Sequence, residues 1–165
     1  MTPNGRVAPA GGSGYSTGRK RGTRMQVRQW MSHPVHTVKP LDTAAHAREL
    51  LEKYRINQLA VVFKNELVGI VTDRDLRDAF PSVFETAASG GHGAGPDPEH
   101  VVVESIMSHR VLTVSPDDNV RDAAEIMRRE RVGALPVVEG EKLVGILTRS
   151  DILDALISLA DRLPD

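Results

Sequence analysis

The sequence predicts an α/β protein of the α+β type, in which one β-α-β-β-α unit occurs twice. The first observation behind this prediction is a repeat, because residues 30–80 reappear without a gap as residues 106–156, shifted by 76 positions. The second is that each copy alternates short β-rich runs with stretches of helical period. The third is length, since 165 residues suit one compact domain or one pair of packed repeats. A repeat of this size usually buries its apolar face against its copy.

The first half of each copy predicts a strand followed by a helix. Val35–Val38 and Val111–Val114 are short β-rich runs that end at a proline. Asp42-Thr43 and Asp118-Asn119 then offer helix caps. The apolar residues that follow recur at helical spacing and predict core packing: Ala44, Ala47, Leu50, Leu51 and Tyr54 in the first copy, and Val120, Ala123, Ala124 and Met127 in the second.

The second half of each copy predicts a hairpin and another helix. The hairpin strands are apolar, β-rich runs that occur in pairs: 59–63 with 67–71, and 135–138 with 143–147. The polar residues Lys64-Asn65-Glu66 supply the first turn. The last helix of each copy is predicted from Asp75 and from near Asp151, and in the second copy its apolar stripe runs almost to the C-terminus.

Two segments outside the copies have no hydrophobic period. Residues 1–24 are rich in glycine and serine and contain Arg19-Lys20-Arg21, which predicts a disordered basic tail. A solvated leader is favoured over an arm for nucleic acid or a membrane surface, because a few charges without aromatic partners attract only weakly. The expected domains are this tail at 1–24, repeat 1 at 25–80, a flexible linker loop at 81–100, and repeat 2 at 101–165 with an extended C-terminal helix.

Bulk composition excludes several classes of protein. The formal net charge is −1, so the chain as a whole is not attracted to nucleic acid or anionic lipid. The absence of cysteine excludes a disulfide framework and a thiolate nucleophile. No apolar run approaches the roughly 18–20 residues of a membrane-spanning helix, and the N-terminus lacks the apolar core of a secretory signal. We therefore expect a cytoplasmic protein with no membrane partner.

A hydroxyl and a carboxylate stand three residues apart where the last strand of each copy meets the second helix. These pairs are Thr72 with Asp75 and Thr148 with Asp151. N–H groups exposed at a helix start favour phosphate, and a carboxylate in the first turn can accept hydrogen bonds from both hydroxyls of a ribose. The same Thr-x-x-Asp pattern also forms a capping box that satisfies the helix's own N–H groups. Taken alone, these residues favour the capping box, and ligand binding stays open as the alternative.

Three motifs recur in one order in both copies: Thr-Val-x-Pro, Leu-[Ala/Pro]-Val-Val and Gly-Ile-[Val/Leu]-Thr-x-x-Asp. Together they resemble the cystathionine β-synthase (CBS) domain family over about residues 26–160, and the two copies resemble a CBS pair, or Bateman module. The segment from Thr72 to Val83 is also similar to the CBS part of acetoin-utilization-type proteins. The resemblance implies two repeats packed around a pseudo-twofold axis. It also implies a regulatory protein that binds AMP, ADP, ATP or a related adenosyl ligand in the cleft between its repeats.

The resemblance further implies which residues bind the ligand. The aspartates of the two Thr-x-x-Asp motifs would bind ribose, and the threonines of the same motifs would bind the ribose-phosphate region. Thr37 and Thr113, each with the valine two residues before it, would border the base. The plane of the base would lie against the first strand of each hairpin. The positions implied are Val35, Thr37, Asn57, Gln58, Leu59, Ala60, Val61, Thr72, Arg74 and Asp75 in the first copy, and Val111, Thr113, Gly133, Ala134, Leu135, Pro136, Val137, Thr148, Ser150 and Asp151 in the second.

The two predicted sites differ in charge. Family members that bind phosphate tightly often have basic side chains just before the Leu-[Ala/Pro]-Val strand. This chain has Asn57-Gln58 and Gly133-Ala134 at those positions. We therefore expect no strong binding of a triphosphate. Arg74 lies inside the first Thr-x-x-Asp motif, and Ser150 takes its place in the second. The first site is thus expected to suit phosphate better.

Other interpretations have less support. His33-x-x-His36 lacks a second ligand pair, so no metal site is predicted. No nucleophile stands beside a base and an orienting group, so no enzyme activity is predicted, and no cofactor is required. The Asp73/Asp75 pair could bind Mg²⁺ with phosphate at one site at most, because Arg149 replaces Asp73 in the second copy. The alternative function is a ligand-free module for dimerisation or partner docking. Either function is compatible with a homodimer and with a regulated enzyme or transporter as partner.

Overall fold

A computed structural model describes residues 25–80 and 97–162 of the chain. The predicted tail and most of the predicted linker lie outside these residues. The described residues form two compact units. The central unit is the contiguous stretch 36–110, and the split unit joins residues 25–35 to residues 111–162.

The central unit contains the predicted β-α-β-β-α order. Its elements are β1 (Thr37–Val38), α1 (Ala44–Tyr54), β2 (Gln58–Phe63), β3 (Glu66–Thr72) and α2 (Asp73–Ala79). Strand β2 pairs in parallel with β1 and antiparallel with β3. The turn between β2 and β3 consists of Lys64 and Asn65, which both have positive φ, at 50° and 66°. Such a turn matches the twist of a two-residue hairpin, and the predicted hairpin is confirmed.

The split unit repeats this order with a weaker first strand. Its elements are α3 (Val120–Glu130), β4 (Ala134–Glu139), β5 (Lys142–Thr148) and α4 (Arg149–Ala160). The predicted strand Val111–Val114 is reduced to one parallel bridge, between Val114 and Val137. Gly140 has φ +63° in the antiparallel β4–β5 turn, where a residue without Cβ avoids strain.

The helix caps follow from short polar side chains. Thr43 Oγ1 accepts a hydrogen bond from the His46 N–H at the start of α1, and Asn119 caps α3 in the same way through the Arg121 N–H. The last helix of each copy begins two residues earlier than predicted, at Asp73 and Arg149. The reason is that the threonine before each helix takes the capping position, which places the predicted first residue inside the first turn.

The segment that precedes each repeat packs in the unit of the other repeat. Ser32 exchanges two backbone hydrogen bonds with Ile146 in the split unit, at 2.9 and 3.1 Å. Ser108 does the same with Ile70 in the central unit, at 2.9 and 3.1 Å. The sequence repeat, by contrast, predicts residues 25–35 as part of repeat 1 and residues 101–110 as part of repeat 2.

Each exchanged segment is held against a glycine of a hairpin strand. A Cβ added to Gly145 would lie 2.5 Å from Met31 Sδ, and one added to Gly69 would lie 2.5 Å from Met107 Sδ. These glycines therefore permit a methionine to approach the strand closely. Val27 and Val103, which precede the methionines, are 0% exposed and belong to the cores of the split and central units.

Most residues of the apolar stripes predicted for α1 and α3 are buried in the cores of the two units. Ala44, Ala47 and Leu51 of α1 are buried, but Tyr54, predicted to face the core, is 40% exposed and stacks on His36 with ring centroids 3.7 Å apart. Within residues 25–80 and 97–162, no helix has both the length and the apolar character that crossing a bilayer requires.

Candidate functional site

In the central unit, the predicted site centres on the junction between β3 and α2. The Asp75 N–H donates to Thr72 Oγ1 at 3.2 Å. The Thr72 N–H and hydroxyl both donate to Asp75 Oδ2, at 2.7 and 2.6 Å. The two side chains thus form a capping box, and one carboxylate oxygen is fully engaged in it.

The junction between β5 and α4 in the split unit has the same geometry. Asp151 N–H donates to Thr148 Oγ1 at 3.3 Å, and the Thr148 N–H and hydroxyl donate to Asp151 Oδ2 at 2.6 and 2.7 Å. Both aspartates are half-buried. Each junction therefore holds its aspartate carboxylate in the same local orientation, through hydrogen bonds from a threonine.

The two junctions differ at the other carboxylate oxygen. Asp151 Oδ1 lies 3.5 Å from the Ser32 hydroxyl, a long contact for a hydrogen bond of this kind. Among the described residues, Asp75 Oδ1 has no such neighbour. Ser32 could not be predicted from the sequence as a neighbour of this site. It lies near Asp151 because residues 25–35 pack in the split unit, together with the second repeat.

The residues just before β2 and β4 are brought to the same junctions. Gln58 pairs with Thr72 across the first hairpin, and Ala134 pairs with Thr148 across the second. The carbonyl of Asn57 accepts the Asp73 N–H at 3.0 Å. In the same way, the Gly133 carbonyl accepts the Arg149 N–H at 3.2 Å. The protein itself therefore satisfies part of each helix start, which leaves fewer N–H groups for a phosphate than the sequence suggested.

Of the two segments predicted to border the base, the second lies within one unit, whereas the first is divided between the two units. Thr37 is exposed and lies beside Ala60 in the register of β1 and β2. Thr113 precedes the Val114 bridge to Val137 and shares the split unit with Val111. Val35 also belongs to the split unit, whereas Thr37 belongs to the central unit.

The hairpin strands predicted to lie against the base are deeply buried. Leu59, Ala60 and Val61 are 0% exposed, as are Leu135 and Val137, and Pro136 is also fully buried. The side chains of the two leucines are among the largest that are fully buried in the described part of the chain, and they belong to the cores of their units. Any contact they make with a ligand would have to use the backbone.

The arginines at the two helix starts, Arg74 and Arg149, already contact other groups. Arg74, predicted to bind phosphate, has a side chain that is 85% exposed, and its Nε lies 3.5 Å from Asp78 Oδ2 on the same helix. Arg149 donates to the Val132 carbonyl at 3.2 Å, and Ser150 is exposed. Asp73, considered above for Mg²⁺, is paired with Arg77 at 2.5 Å. Within the described ranges, no group of three or more metal-ligating side chains is assembled.

Comparison with known families agrees with the duplicated architecture. Residues 27–82 and residues 103–158 each match the model of the CBS domain. The chain belongs to the CBS domain family. The two matches together cover more than half of the sequence, with one match in each repeat, so this protein carries a CBS pair. Proteins with CBS pairs are generally regulatory rather than catalytic.

Three solved structures are similar to this CBS-pair protein over most of its length. AcuB of Vibrio cholerae, named for acetoin utilization, is 28% identical with a TM-score of 0.72, over 85% of this chain and 97% of that one. CBSX2 in complex with AMP is 31% identical with a TM-score of 0.68, over 82% and 98%. The CBS pair of protein MJ0100, in complex with 5′-methylthioadenosine and S-adenosyl-L-methionine, is 26% identical with a TM-score of 0.68, over 81% and 97%.

These similarities confirm the family, the mixed α+β fold and the narrower likeness to the acetoin-utilization type. The two complexes also show that similar CBS pairs bind adenosine-containing molecules.

Proposed function

We propose that this CBS-pair protein senses an adenosine-containing ligand, which it binds at its two Thr-x-x-Asp junctions, and passes the bound state to a partner protein. The observation that carries the proposal is the duplicated, threonine-held aspartate of each junction. Similar CBS pairs solved with AMP or with S-adenosylmethionine support the class of ligand.

The chemistry of the junction suits a ribose. Oδ2 of each aspartate accepts two hydrogen bonds from its threonine, so the carboxylate cannot rotate freely. Oδ1 retains lone pairs that could accept the 2′ and 3′ hydroxyls of a ribose, and hydrogen bonds to a charged acceptor are stronger than neutral ones. A carboxylate that is fixed before binding loses little entropy when the ligand arrives.

The two sites are proposed to bind unequally, with the stronger one in the central unit. A ribose hydroxyl would compete with Ser32 for Asp151 Oδ1, whereas no described residue competes for Asp75 Oδ1. Arg74 would have to leave Asp78 to reach a phosphate. The uncharged positions 57–58 and 133–134 add no cation. We therefore expect adenosine or AMP to bind better than ATP.

Regulation requires that the ligand bind one arrangement of the protein more tightly than another. A partner enzyme or transporter would then respond to the arrangement that the ligand favours. The contact between the exchanged segment and the second junction, Ser32 to Asp151, offers one route, because a ligand that takes Asp151 Oδ1 releases the Ser32 hydroxyl.

A second candidate function is a ligand-free module for dimerisation or partner docking. Two observations favour it: each Thr-x-x-Asp pair caps its own helix, and the last helix has a broad exposed apolar face. Under this function the aspartates would matter for stability alone.

Calorimetric titration of Asp75→Ala and Asp151→Ala separates the two functions. We expect the wild-type chain to bind AMP, S-adenosylmethionine or another member of an adenosyl panel saturably. Each substitution should weaken its own site by about tenfold or more, because a charged hydrogen-bond acceptor is lost. Asp75→Ala should have the larger effect on total binding.

Asp154→Ala is the matched control, since Asp154 is exposed on α4 and lies outside the capping box of that helix. Thermal unfolding of each variant confirms that the loss of binding is not loss of fold. If the wild type binds no member of the panel, the sensing function is wrong and the docking function remains.

A further inference from the structure

The thioether of Met31 packs directly on the backbone of Gly145 in β5. A Cβ added to Gly145 would lie 2.5 Å from Met31 Sδ and 3.0 Å from Met31 Cγ. Gly145 is buried and pairs with Val137 across the β4–β5 hairpin. The sulfur therefore fills the space that a side chain at residue 145 would need, and no room is left for a further atom between the sulfur and the strand.

This contact holds the exchanged segment beside the second junction. The residue after Met31 is Ser32, which exchanges two backbone hydrogen bonds with Ile146, at 2.9 and 3.1 Å. The Ser32 hydroxyl lies 3.5 Å from Asp151 Oδ1. A chemical change at the Met31 sulfur therefore acts on the backbone pairing that keeps Ser32 near Asp151.

Met31 is the more accessible member of a repeated pair. Met107 makes the equivalent contact with Gly69 in the central unit, but Met107 is only 8% exposed, whereas Met31 is half-buried. The chain contains no cysteine, so thioethers are its only sulfur groups. Since oxidation of a sulfur follows its exposure, an oxidant in solution reaches Met31 before Met107.

We propose that Met31 is a site of reversible oxidation, and that conversion of its thioether to a sulfoxide lifts residues 31–34 off β5. The oxidant is a hydroperoxide such as hydrogen peroxide. A lone pair of the sulfur attacks one peroxide oxygen, an S–O bond forms, the O–O bond breaks, and the second oxygen leaves as water. The sulfur loses two electrons and the peroxide gains them.

The size and polarity of a sulfoxide are the reason for the release. Met31 packs against the core of the split unit, and the side chains of that cluster are all hydrophobic. The new oxygen would be a hydrogen-bond acceptor beside a buried glycine whose strand is already paired within its hairpin. Burying a polar group without a hydrogen bond costs free energy, so the oxidised side chain moves toward water.

The release is local, because the start of the exchanged segment has its own anchors. The Val27 N–H donates to the Asp118 carbonyl at 2.9 Å, and the Val27 side chain is 0% exposed. Residues 31–34, by contrast, are held on β5 by the Met31 side chain and by the two backbone hydrogen bonds of Ser32. Oxidation therefore withdraws Ser32 while the core of the split unit keeps Val27.

The consequence of the modification is confined to one junction. Withdrawal of Ser32 leaves Asp151 Oδ1 without its hydroxyl neighbour, while the shielded Met107 keeps the first junction as it is. This CBS-pair protein would thereby gain an oxidant-dependent input at one of its two junctions. The release itself does not depend on the proposed ligand binding.

Titration of the full chain with hydrogen peroxide, followed by peptide mass spectrometry and tryptophan fluorescence, tests the proposal. Met31 should gain one oxygen about tenfold faster than Met107. Trp30 is the single tryptophan of the chain, and its Nε1 is buried without a hydrogen-bond partner among the described residues. Its emission should therefore shift to longer wavelength as Met31 is oxidised. Equal rates at the two methionines, or oxidation of Met31 with unchanged emission, would overturn the proposal.

Two leucine variants identify the sulfur that is responsible. Leucine has nearly the volume of methionine and does not react with peroxide. Met31→Leu should abolish the emission shift. Met25→Leu is the matched control and should keep the shift, because Met25 is also half-buried against the core of the split unit but does not pack on Gly145. A shift that survives in Met31→Leu, or one that is lost in Met25→Leu, would contradict the assignment to Met31.

Met31→Gln imitates the polarity of the sulfoxide without an oxidant. It should shift the emission of Trp30 as oxidation does and lower the midpoint of thermal unfolding by about 5 °C, with the far-ultraviolet circular dichroism of the wild type. A methionine sulfoxide reductase with a thiol reductant should return the oxidised wild type to its starting emission. Wild-type emission in Met31→Gln would show that β5 tolerates a polar group at this contact and would overturn the proposal, and emission that the reductase does not restore would contradict a reversible site.

Discussion

A fragment of residues 36–110 is expected to fold by itself, whereas fragments of residues 25–80 and 101–165 are not. The first fragment contains the whole central unit, including Val103 and Met107 in its core. The other two fragments have the bounds of the sequence repeats. The 25–80 fragment lacks residues 101–110, which complete the core of the central unit, and the 101–165 fragment lacks residues 25–35, which complete the core of the split unit. Urea titration followed by circular dichroism should show a cooperative transition for 36–110 only.

The reason is the exchange of leading segments. Without residues 101–110, α1 loses the backbone bond from the Ala44 N–H to the Val101 carbonyl, and Gly69 faces an empty space where Met107 packs. Domains of this size have little stability to spare. A cooperative transition in the 25–80 fragment, with a midpoint equal to that of 36–110, would show that the exchanged segment contributes nothing to the fold.

Replacing Leu59 or Leu135 by alanine is expected to lower the free energy of unfolding by about 2–5 kcal/mol. Both side chains are 0% exposed and occupy equivalent positions in the two cores, so each substitution leaves a cavity that the neighbours fill only in part. Denaturant titration of the full chain measures the loss.

Leu41→Ala is the control for this pair, because Leu41 is 74% exposed and its removal should change stability by less than about 0.5 kcal/mol. A loss below about 1 kcal/mol at Leu59 would mean that its side chain is not held in the core. It would then be available to border a bound base, as the family resemblance implied.

Much of the fold could be predicted because its signals are local. The period of α1, the caps Thr43 and Asn119, and the polar Lys64-Asn65 turn each depend on residues close together in the chain. Local patterns also predicted the Thr-x-x-Asp junctions, where the structure places the aspartates in capping boxes. What the pattern left open was whether those carboxylates serve the helix or a ligand, and each one still has an oxygen outside the capping box.

The exchange of segments could not be predicted, since both leading segments have the same Met-Ser-His sequence. Either segment could therefore pack against either Gly-Ile strand, and only the three-dimensional arrangement decides between them. The contact of Ser32 with Asp151 was missed for this reason. The burial of Leu59 and Leu135 and the pairing of Arg74 with Asp78 likewise depend on contacts that no sequence spacing encodes.

Amide NMR of the labelled full chain during titration with AMP tests the sensing function most directly. We predict saturable shifts at the two junctions, first at residues 57–58 and 72–75 and at higher concentration at residues 133–134 and 148–151. S-adenosylmethionine and 5′-methylthioadenosine should shift the same amides if AMP is not the preferred ligand. Shifts confined to residues away from the two junctions, or no saturable shift with any of the three compounds, would contradict the proposal that these junctions bind an adenosyl ligand.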